Sequence, residues 1–258
     1  MCSGNWIVAS AGDDISLPER VGSLVSWWLR TGGRLGLVYS NILEVDLRNE
    51  AIQERNFITE GRISIGTWGL QERLDGLTPP VHGCAFAYPQ STSDDFGSLH
   101  PEVCFEDNVI NWRAELVGGV GVCPATLVRH RNHGGQFTNL HALQGATLRR
   151  ARLRTLHGSD RASTEQNRLD LESAARRGWI REPLLRIARS YVNRRASHAQ
   201  RRFLLCHGSW IERFASLIAD PSGAVRDLGV LSAVLNLAPV GVQDAALDAI
   251  RTLRRRSN

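Results

Sequence analysis

Arginine is the residue type with the clearest chemical potential in this sequence. The 258 residues include 31 basic side chains, all of them arginine, and 21 of the 31 lie after residue 140. A guanidinium group is permanently charged, and its flat fork binds a phosphate or a carboxylate through two parallel hydrogen bonds. The composition therefore predicts a basic surface for an acidic partner.

The spacing of these arginines predicts where that surface lies. Many fall three, four or seven residues apart in predicted helices, so their side chains share helix faces and repel each other unless an anion neutralises them. A phosphate backbone is such an anion, and its binding depends strongly on salt. We therefore predict a nucleic-acid-binding protein, with RNA as the first candidate and another polyanion or a solvated surface without a partner as alternatives. The predicted binding residues are Arg149, Arg150, Arg152, Arg154, Arg177, Arg181, Arg186, Arg189, Arg194, Arg195, Arg201 and Arg202.

A pair of carboxylates, Asp13 and Asp14, follows the first predicted strand. Ligands of open α/β sheets bind at the carboxyl ends of strands, and paired carboxylates there can hold a divalent metal that bridges phosphates. The alternative is a polar loop in which acids are favoured near a helix N-terminus. The second hypothesis is thus an α/β enzyme that acts on a nucleotide or phosphorylated substrate, although we predict no metal and no cofactor.

The string Gly12-Asp13-Asp14, set between apolar strands, resembles the metal-binding turn of viral RNA-dependent RNA polymerases. The resemblance covers these residues and their flanking strands. The upstream aspartate motif of that family and its later lysine have no counterparts here. The resemblance implies at most a fragment of such an enzyme.

Thiols and imidazoles are the remaining candidates for chemistry. Cys123, His130, His133 and His141 have the spacing C-x6-H-x2-H-x7-H, which matches no common zinc pattern, so a loop with exposed histidines is predicted. Cys84 is the best candidate nucleophile, but a thiol also needs a base within hydrogen-bond reach in space. We therefore assign no catalytic residue, and the interpretation favours a binding protein over an enzyme.

The elements that must position these residues begin with a βαβ pattern. Trp6–Ala9 is an apolar run typical of a buried strand, and Ser16 with Glu19 forms a capping box before an amphipathic helix. Gly32-Gly33 ends that helix, and Leu35–Tyr39 is the next apolar strand. A strand, a helix and a second strand favour parallel pairing with a right-handed crossover.

The pattern is weaker over the rest of the first half. It predicts strands at 42–47, 62–68 and 81–88, a helical turn at 50–55, a helix at 108–116 and loops around 118–124 and 130–136.

From about residue 138 the hydrophobic period is that of a helix. The predicted helices are 138–156, 163–177, 182–195, 198–218, 221–237 and 241–255, and Ser163 with Gln166 looks like a second capping box. The predicted fold is an α+β or α/β half over 1–137, with a small mixed sheet, followed by an all-α half over 138–258.

The two halves differ in charge. Residues 1–140 hold 10 arginines and 16 acidic residues, a net charge of −6, whereas residues 141–258 hold 21 and 10, a net charge of +11. Such asymmetry is typical of proteins that contact nucleic acid. A third hypothesis is a structural or host-interaction protein, viral in origin, whose acidic half covers the basic half.

The cysteines and the uncharged stretches indicate the cellular compartment. Five widely spaced cysteines do not resemble a disulfide framework, which favours a reducing, intracellular compartment such as cytoplasm or nucleus. The longest uncharged stretches are shorter than the roughly 20 residues of a membrane span, so no transmembrane segment is predicted. A homo-oligomer stays an open alternative.

Overall fold

The computed structural model describes residues 4–56, 67–77, 82–133 and 146–220. It confirms the predicted fold class, because a mixed sheet with short helices is followed by a half built from long helices. The boundary predicted at residue 137 and the helices predicted at 221–237 and 241–255 lie outside the described residues.

The strands are short except for two. They are β1 (Trp6–Val8), β2 (Ile15–Ser16), β3 (Leu37–Val45), β4 (Ala51–Arg55), β5 (Thr67–Trp68), β6 (Phe86–Pro89) and β7 (Val120–Arg131). The helices are α1 (Arg20–Arg30), α2 (Leu70–Leu74), α3 (Ser91–Asp94), α4 (Glu106–Val117), α5 (Ala146–Arg176), α6 (Leu184–His207) and α7 (Trp210–Ala219). A 3₁₀ turn at Gly83–Ala85 precedes β6.

The sheet has the strand order β1-β6-β3-β7-β2, with β4 paired to β3 and β5 paired to β7. Among the strands of the described residues, β3 and β7 pair in parallel and the other pairs are antiparallel. β1 and β3 have the same direction, as the opening pattern predicts, but β6 lies between them. The prediction that they pair directly was wrong, because a strand from much later in the chain occupies the position between them.

Two further predictions in this half were wrong. Residues 51–55 form β4 rather than a helical turn, and the predicted loop at 118–124 leads into the long strand β7. Glycine and proline there serve close packing within a sheet rather than a loop. A Cβ on Gly121 would lie 2.7 Å from side chains of Leu35 and Trp27. The β3–β7 register also shifts between Ser40 and Asn41, beside Pro124, which matches the confinement of proline to strand irregularities.

Helix α4 joins the two halves. Its residues Val109–Leu116 are all buried, because one face packs on the sheet and the opposite face packs on α5 and α6. Two of its side chains reach α5: Trp112 Nε1 donates to the Asn167 carbonyl at 2.9 Å, and Arg113 Nε donates to Asp170 Oδ2 at 2.7 Å. One cluster of buried residues in each half therefore packs on α4.

The long helices run through predicted breaks. α5 continues across 157–162, since Ser163 and Gln166 are used in packing rather than as a cap, and Gln166 bonds to Asp170 and to the His100 backbone. α6 passes through 196–197 and ends at His207. Ser209 then caps α7 together with Glu212.

Among the described residues, no helix is long and apolar enough to cross a lipid bilayer.

Candidate functional site

The twelve predicted arginines lie on α5, on α6 and in the turn between these helices. In the part of the chain that the structure describes, six of them form ion pairs with carboxylates. The pairs are Arg177–Asp95, Arg186–Glu182, Arg189–Glu172, Arg195–Asp160, Arg201–Asp220 and Arg202–Asp160. Five of these pairs use acids that follow residue 140, so the basic half supplies much of its own neutralising charge.

The ion pairs differ in the distance between the guanidinium nitrogen and the carboxylate oxygen. Arg189 holds Glu172 at 2.7 Å and so ties α6 to α5, and Arg177 holds Asp95 of the sheet half at 2.9 Å. Arg195 and Arg202, in contrast, share Asp160 at 3.9 Å each. One carboxylate between two guanidinium groups leaves a positive balance at that position.

A second set of arginines surrounds two histidines at the α5–α6 contact. His157 Nδ1 and His207 Nε2 are 3.0 Å apart, so one ring donates a hydrogen bond to the other. Along α5, Arg154 follows Arg150 by four residues and His157 follows Arg154 by three, a spacing that places all three side chains on one helix face. Arg150 and Arg154 of α5, together with Arg202 of α6 and Arg213 of α7, form what we call the arginine cluster.

The electrostatics of the cluster keep the histidine pair neutral. Burial, the largest cause, acts together with the neighbouring His157, Arg154, Arg213 and Arg150 to lower the pKa of His207 to about 4. Burial also lowers the pKa of His157, with Arg202 acting in the same direction and Asp160 in the opposite one. Permanent cations therefore surround two uncharged imidazoles.

The sheet half contains a different convergence, which we call the Asp14–Cys84–His130 cluster. One carboxylate oxygen, the thiol sulfur and one imidazole nitrogen all lie within 4.8 Å of one another. Cys84 is buried, whereas Asp14 and His130 are partly exposed. Each residue was a candidate in the sequence for a different reason, and the structure brings one member of each candidate group together.

The strand pairing explains the meeting of Asp14 and His130. β2 pairs antiparallel with β7 so that Ile15 faces Arg129, and the next position of this register sets Asp14 opposite His130. The Arg131 backbone N–H donates to Asp14 Oδ1 at 3.0 Å, which fixes the carboxylate.

A buried arginine brings Cys84 to the same place. Arg20 is 1% exposed, and its Nη2 donates to the Cys84 carbonyl at 2.5 Å and to the Ala9 carbonyl at 2.7 Å. Its Nη1 donates to Ser16 Oγ at 2.8 Å. The guanidinium group therefore ties the 3₁₀ turn to the segment between β1 and α1.

The surrounding ionisable groups are strongly perturbed. Burial and the neighbouring Asp14 carboxylate raise the pKa of the Cys84 thiol. Burial, with a contribution from Glu106, raises the pKa of Asp107 to about 6. A hydrogen bond from His133, whose Nε2 is 2.9 Å from Asp13 Oδ2, lowers the pKa of Asp13.

These contacts bear on several sequence predictions. The Asp13 and Asp14 carboxylates have different partners, since Asp13 contacts His133 and Asp14 contacts the Arg131 backbone. The strands that flank Gly12-Asp13-Asp14 pair with different neighbours, β1 with β6 and β2 with β7, so the segment is not the tip of a hairpin. The predicted loop of exposed histidines was wrong for His130, because it lies within β7, and His141 lies outside the described residues.

A cavity of about 210 Å³ lies between α4, α5 and α6, with Trp112, Tyr191 and Asn167 among its lining residues. The Trp112 and Tyr191 rings are stacked with centroids 6.2 Å apart. Small-molecule pockets usually measure about 300–1,000 Å³, so we assign no ligand to this cavity.

No protein-family model matches this sequence, and no curated protein is similar to it. The functional conclusions therefore depend on the geometry of the two clusters.

Proposed function

We propose that this protein binds nucleic acid, in the form of single-stranded RNA, through the arginine cluster. One observation carries the proposal: guanidinium groups from three helices surround a histidine pair that burial and these cations keep neutral. A phosphate placed there relieves the repulsion between the arginines and accepts hydrogen bonds from them.

The ion pairs make the arginine cluster the strongest candidate among the basic residues. Arg177 and Arg189 already hold carboxylates at 2.9 and 2.7 Å, so a phosphate would have to displace those partners. Asp160 contacts Arg202 only at 3.9 Å and is shared with Arg195, so less is lost when Arg202 turns to a phosphate. The other predicted arginines are expected to add weaker, long-range attraction.

The shape of the cluster favours a flexible strand. Arg150, Arg154, Arg202 and Arg213 come from the start of α5, the end of α6 and the start of α7, where these helices meet around the histidine pair. A single strand can bend around such a point, whereas a duplex presents its phosphates along a stiff rod.

The test is fluorescence anisotropy of a short labelled single-stranded RNA over a series of salt concentrations. We expect the logarithm of the binding constant to fall linearly with the logarithm of salt. The triple variant R150A/R154A/R202A removes three phosphate partners and is expected to reduce the slope by about 2. Arg213 is retained because its Nε donates to the Gly208 carbonyl at 2.8 Å at the α6–α7 junction.

The matched control is R177A/R186A/R189A, which removes the same charge from arginines that lie outside the arginine cluster and hold carboxylates at 2.7 to 3.5 Å. We expect less than half the loss of affinity in this variant, with unchanged circular dichroism in both. An equal loss in the two variants would show that only net charge matters. A flat salt response, or tighter binding of duplex DNA than of RNA, contradicts the proposal.

A further inference from the structure

The Asp14–Cys84–His130 cluster combines a carboxylate, a thiol and an imidazole at one point of the sheet half. Thiolate and imidazole are ligands that select zinc, and carboxylate oxygen is its third common protein ligand. The alternative set for magnesium or calcium consists of oxygen atoms alone, which a buried cysteine does not suit. The donor chemistry therefore indicates a transition-metal ion of the zinc type.

The distances are compatible with one ion. Zinc lies about 2.3 Å from sulfur and about 2.0 Å from nitrogen or oxygen, so ligand atoms of a tetrahedral site are roughly 3.5 Å apart. The three atoms here are within 4.8 Å of one another. An approach of about 1.3 Å at most, within reach of small side-chain rotations, would complete the geometry.

The elements around the cluster hold its ligands as metal sites require. Asp14 Oδ1 accepts from the Arg131 backbone N–H, which fixes the carboxylate beside the Cys84 thiol, with which it shares a hydrogen bond. Arg20 fixes the backbone of Cys84, and His130 lies in β7, a strand with neighbours on both sides. Groups that orient the ligands in this way are typical of metal centres.

We propose that Asp14, Cys84 and His130 bind one Zn²⁺ ion. Three protein ligands leave a fourth position for water or substrate, which is the pattern of catalytic rather than structural zinc sites. The proposal concerns the sheet half and does not depend on nucleic-acid binding by the arginine cluster.

The test uses the purified full chain, stripped with a chelator and then titrated with Zn²⁺ and, separately, with Co²⁺. We expect one ion per chain and, with Co²⁺, the charge-transfer absorption that reports a thiolate ligand. Cys84→Ser should abolish that absorption. Asp14→Asn and His130→Gln, which keep the thiol, should each weaken Zn²⁺ binding at least tenfold.

The matched control is Cys123→Ser, because Cys123 is also buried in the sheet half but lies outside the cluster. This variant should bind both ions like the unchanged chain. If Cys84→Ser does not fold, the Asp14→Asn and His130→Gln variants decide the question.

Three results would overturn the proposal. The first is no stoichiometric Zn²⁺ binding by the folded chain, and the second is a cobalt absorption that survives Cys84→Ser or disappears in Cys123→Ser. The third is rapid, stoichiometric alkylation of Cys84 by iodoacetamide in excess Zn²⁺, since a zinc-bound thiolate is protected and such reactivity would instead indicate a nucleophile paired with His130.

Discussion

The helical half and the sheet half assemble their charged groups in different ways. In the helical half, Arg186 pairs with Glu182 four residues earlier, and Arg189 pairs with Glu172 on the preceding helix. In the sheet half, Asp14, Cys84 and His130 come from three distant parts of the chain. The partners in these two pairs of the helical half lie on the same helix or on the preceding one, whereas those in the sheet half are brought together by strand order.

This difference predicts two kinds of response to mutation. Phosphate contacts are many and individually weak, so losing one arginine should reduce RNA binding gradually. A metal site with three protein ligands has no spare member, so losing one should remove most of the binding. Graded loss in the sheet half, or complete loss from one arginine change, would contradict this comparison.

The largest expected effect concerns the ion pair that joins the halves. Arg113 and Asp170 have side chains only 1% and 2% exposed. Asp170→Ala leaves a buried charge without its carboxylate and should lower the free energy of unfolding by about 3–5 kcal/mol. Urea denaturation measures this loss in the free energy of unfolding. The control is Asp95→Ala, whose exposed pair with Arg177 should contribute about 1 kcal/mol or less. Both pairs join the halves, so equal losses in the two variants would mean that burial of the Arg113–Asp170 pair is not a special source of stability.

A smaller effect tests how closely backbones pack in the sheet half. A Cβ on Gly36 would lie 2.6 Å from Ala114 Cα of α4, an atom that cannot turn away. Gly36→Ala should therefore destabilise the protein by about 1–3 kcal/mol, measured by denaturant unfolding. Gly22→Ala in α1 is the control, because nothing lies within 4 Å of that position. We expect a gain of about 0.5–1 kcal/mol there, from improved helix propensity. A neutral Gly36→Ala would show that β3 and α4 can separate without cost.

The smallest effect concerns the histidine pair of the helical half. The pKa of His207 is about 4 in the folded state and about 6.5 in the unfolded chain. Between these values the unfolded chain binds a proton that the folded state excludes, so stability is fully present above about pH 6.5 and declines as the pH falls towards 4. Urea midpoints at about pH 7 and pH 5 should therefore differ, and the difference should shrink in His207→Asn.

The control for this pH effect is His198→Asn, on the same helix but outside the arginine cluster. It should leave the difference between the two midpoints unchanged. A His207→Asn variant with the full pH dependence would assign the effect to other groups.

The sequence predicted where helices and strands lie better than it predicted which strands are neighbours in the sheet. The helices α1 and α4 and the strand β1 follow from apolar periodicity and glycine stops. The capping box predicted at Ser16 and Glu19 was wrong, because Ser16 lies in β2 and the Glu19 side chain makes no capping hydrogen bond. The sheet order could not be predicted, because β6 enters between β1 and β3 from some forty residues beyond β3. Polar residues also misled: Ser163 and Gln166 look like a cap in sequence but are buried in contacts of a continuous helix.

The candidate sites likewise have residues that the local sequence predicted and residues that it did not. Arg150 and Arg154 could be assigned to one helix face from spacing alone, and Arg202 was in the predicted set. Arg213 and the pairing of His157 with His207 were not predicted, since nothing local shows that the end of α6 returns to the start of α5. The binding role predicted for the other arginines stays a prediction.

The sequence by itself determined the fold class, the helix faces and the excess of guanidinium groups in the second half. A helix is closed by hydrogen bonds four residues apart, so its faces can be derived from the spacing of residues. Only the tertiary structure decided which arginines meet carboxylates and that Asp14, Cys84 and His130 converge. Strand pairing and helix packing join residues that are far apart along the chain, and no local pattern encodes which distant segment is the partner.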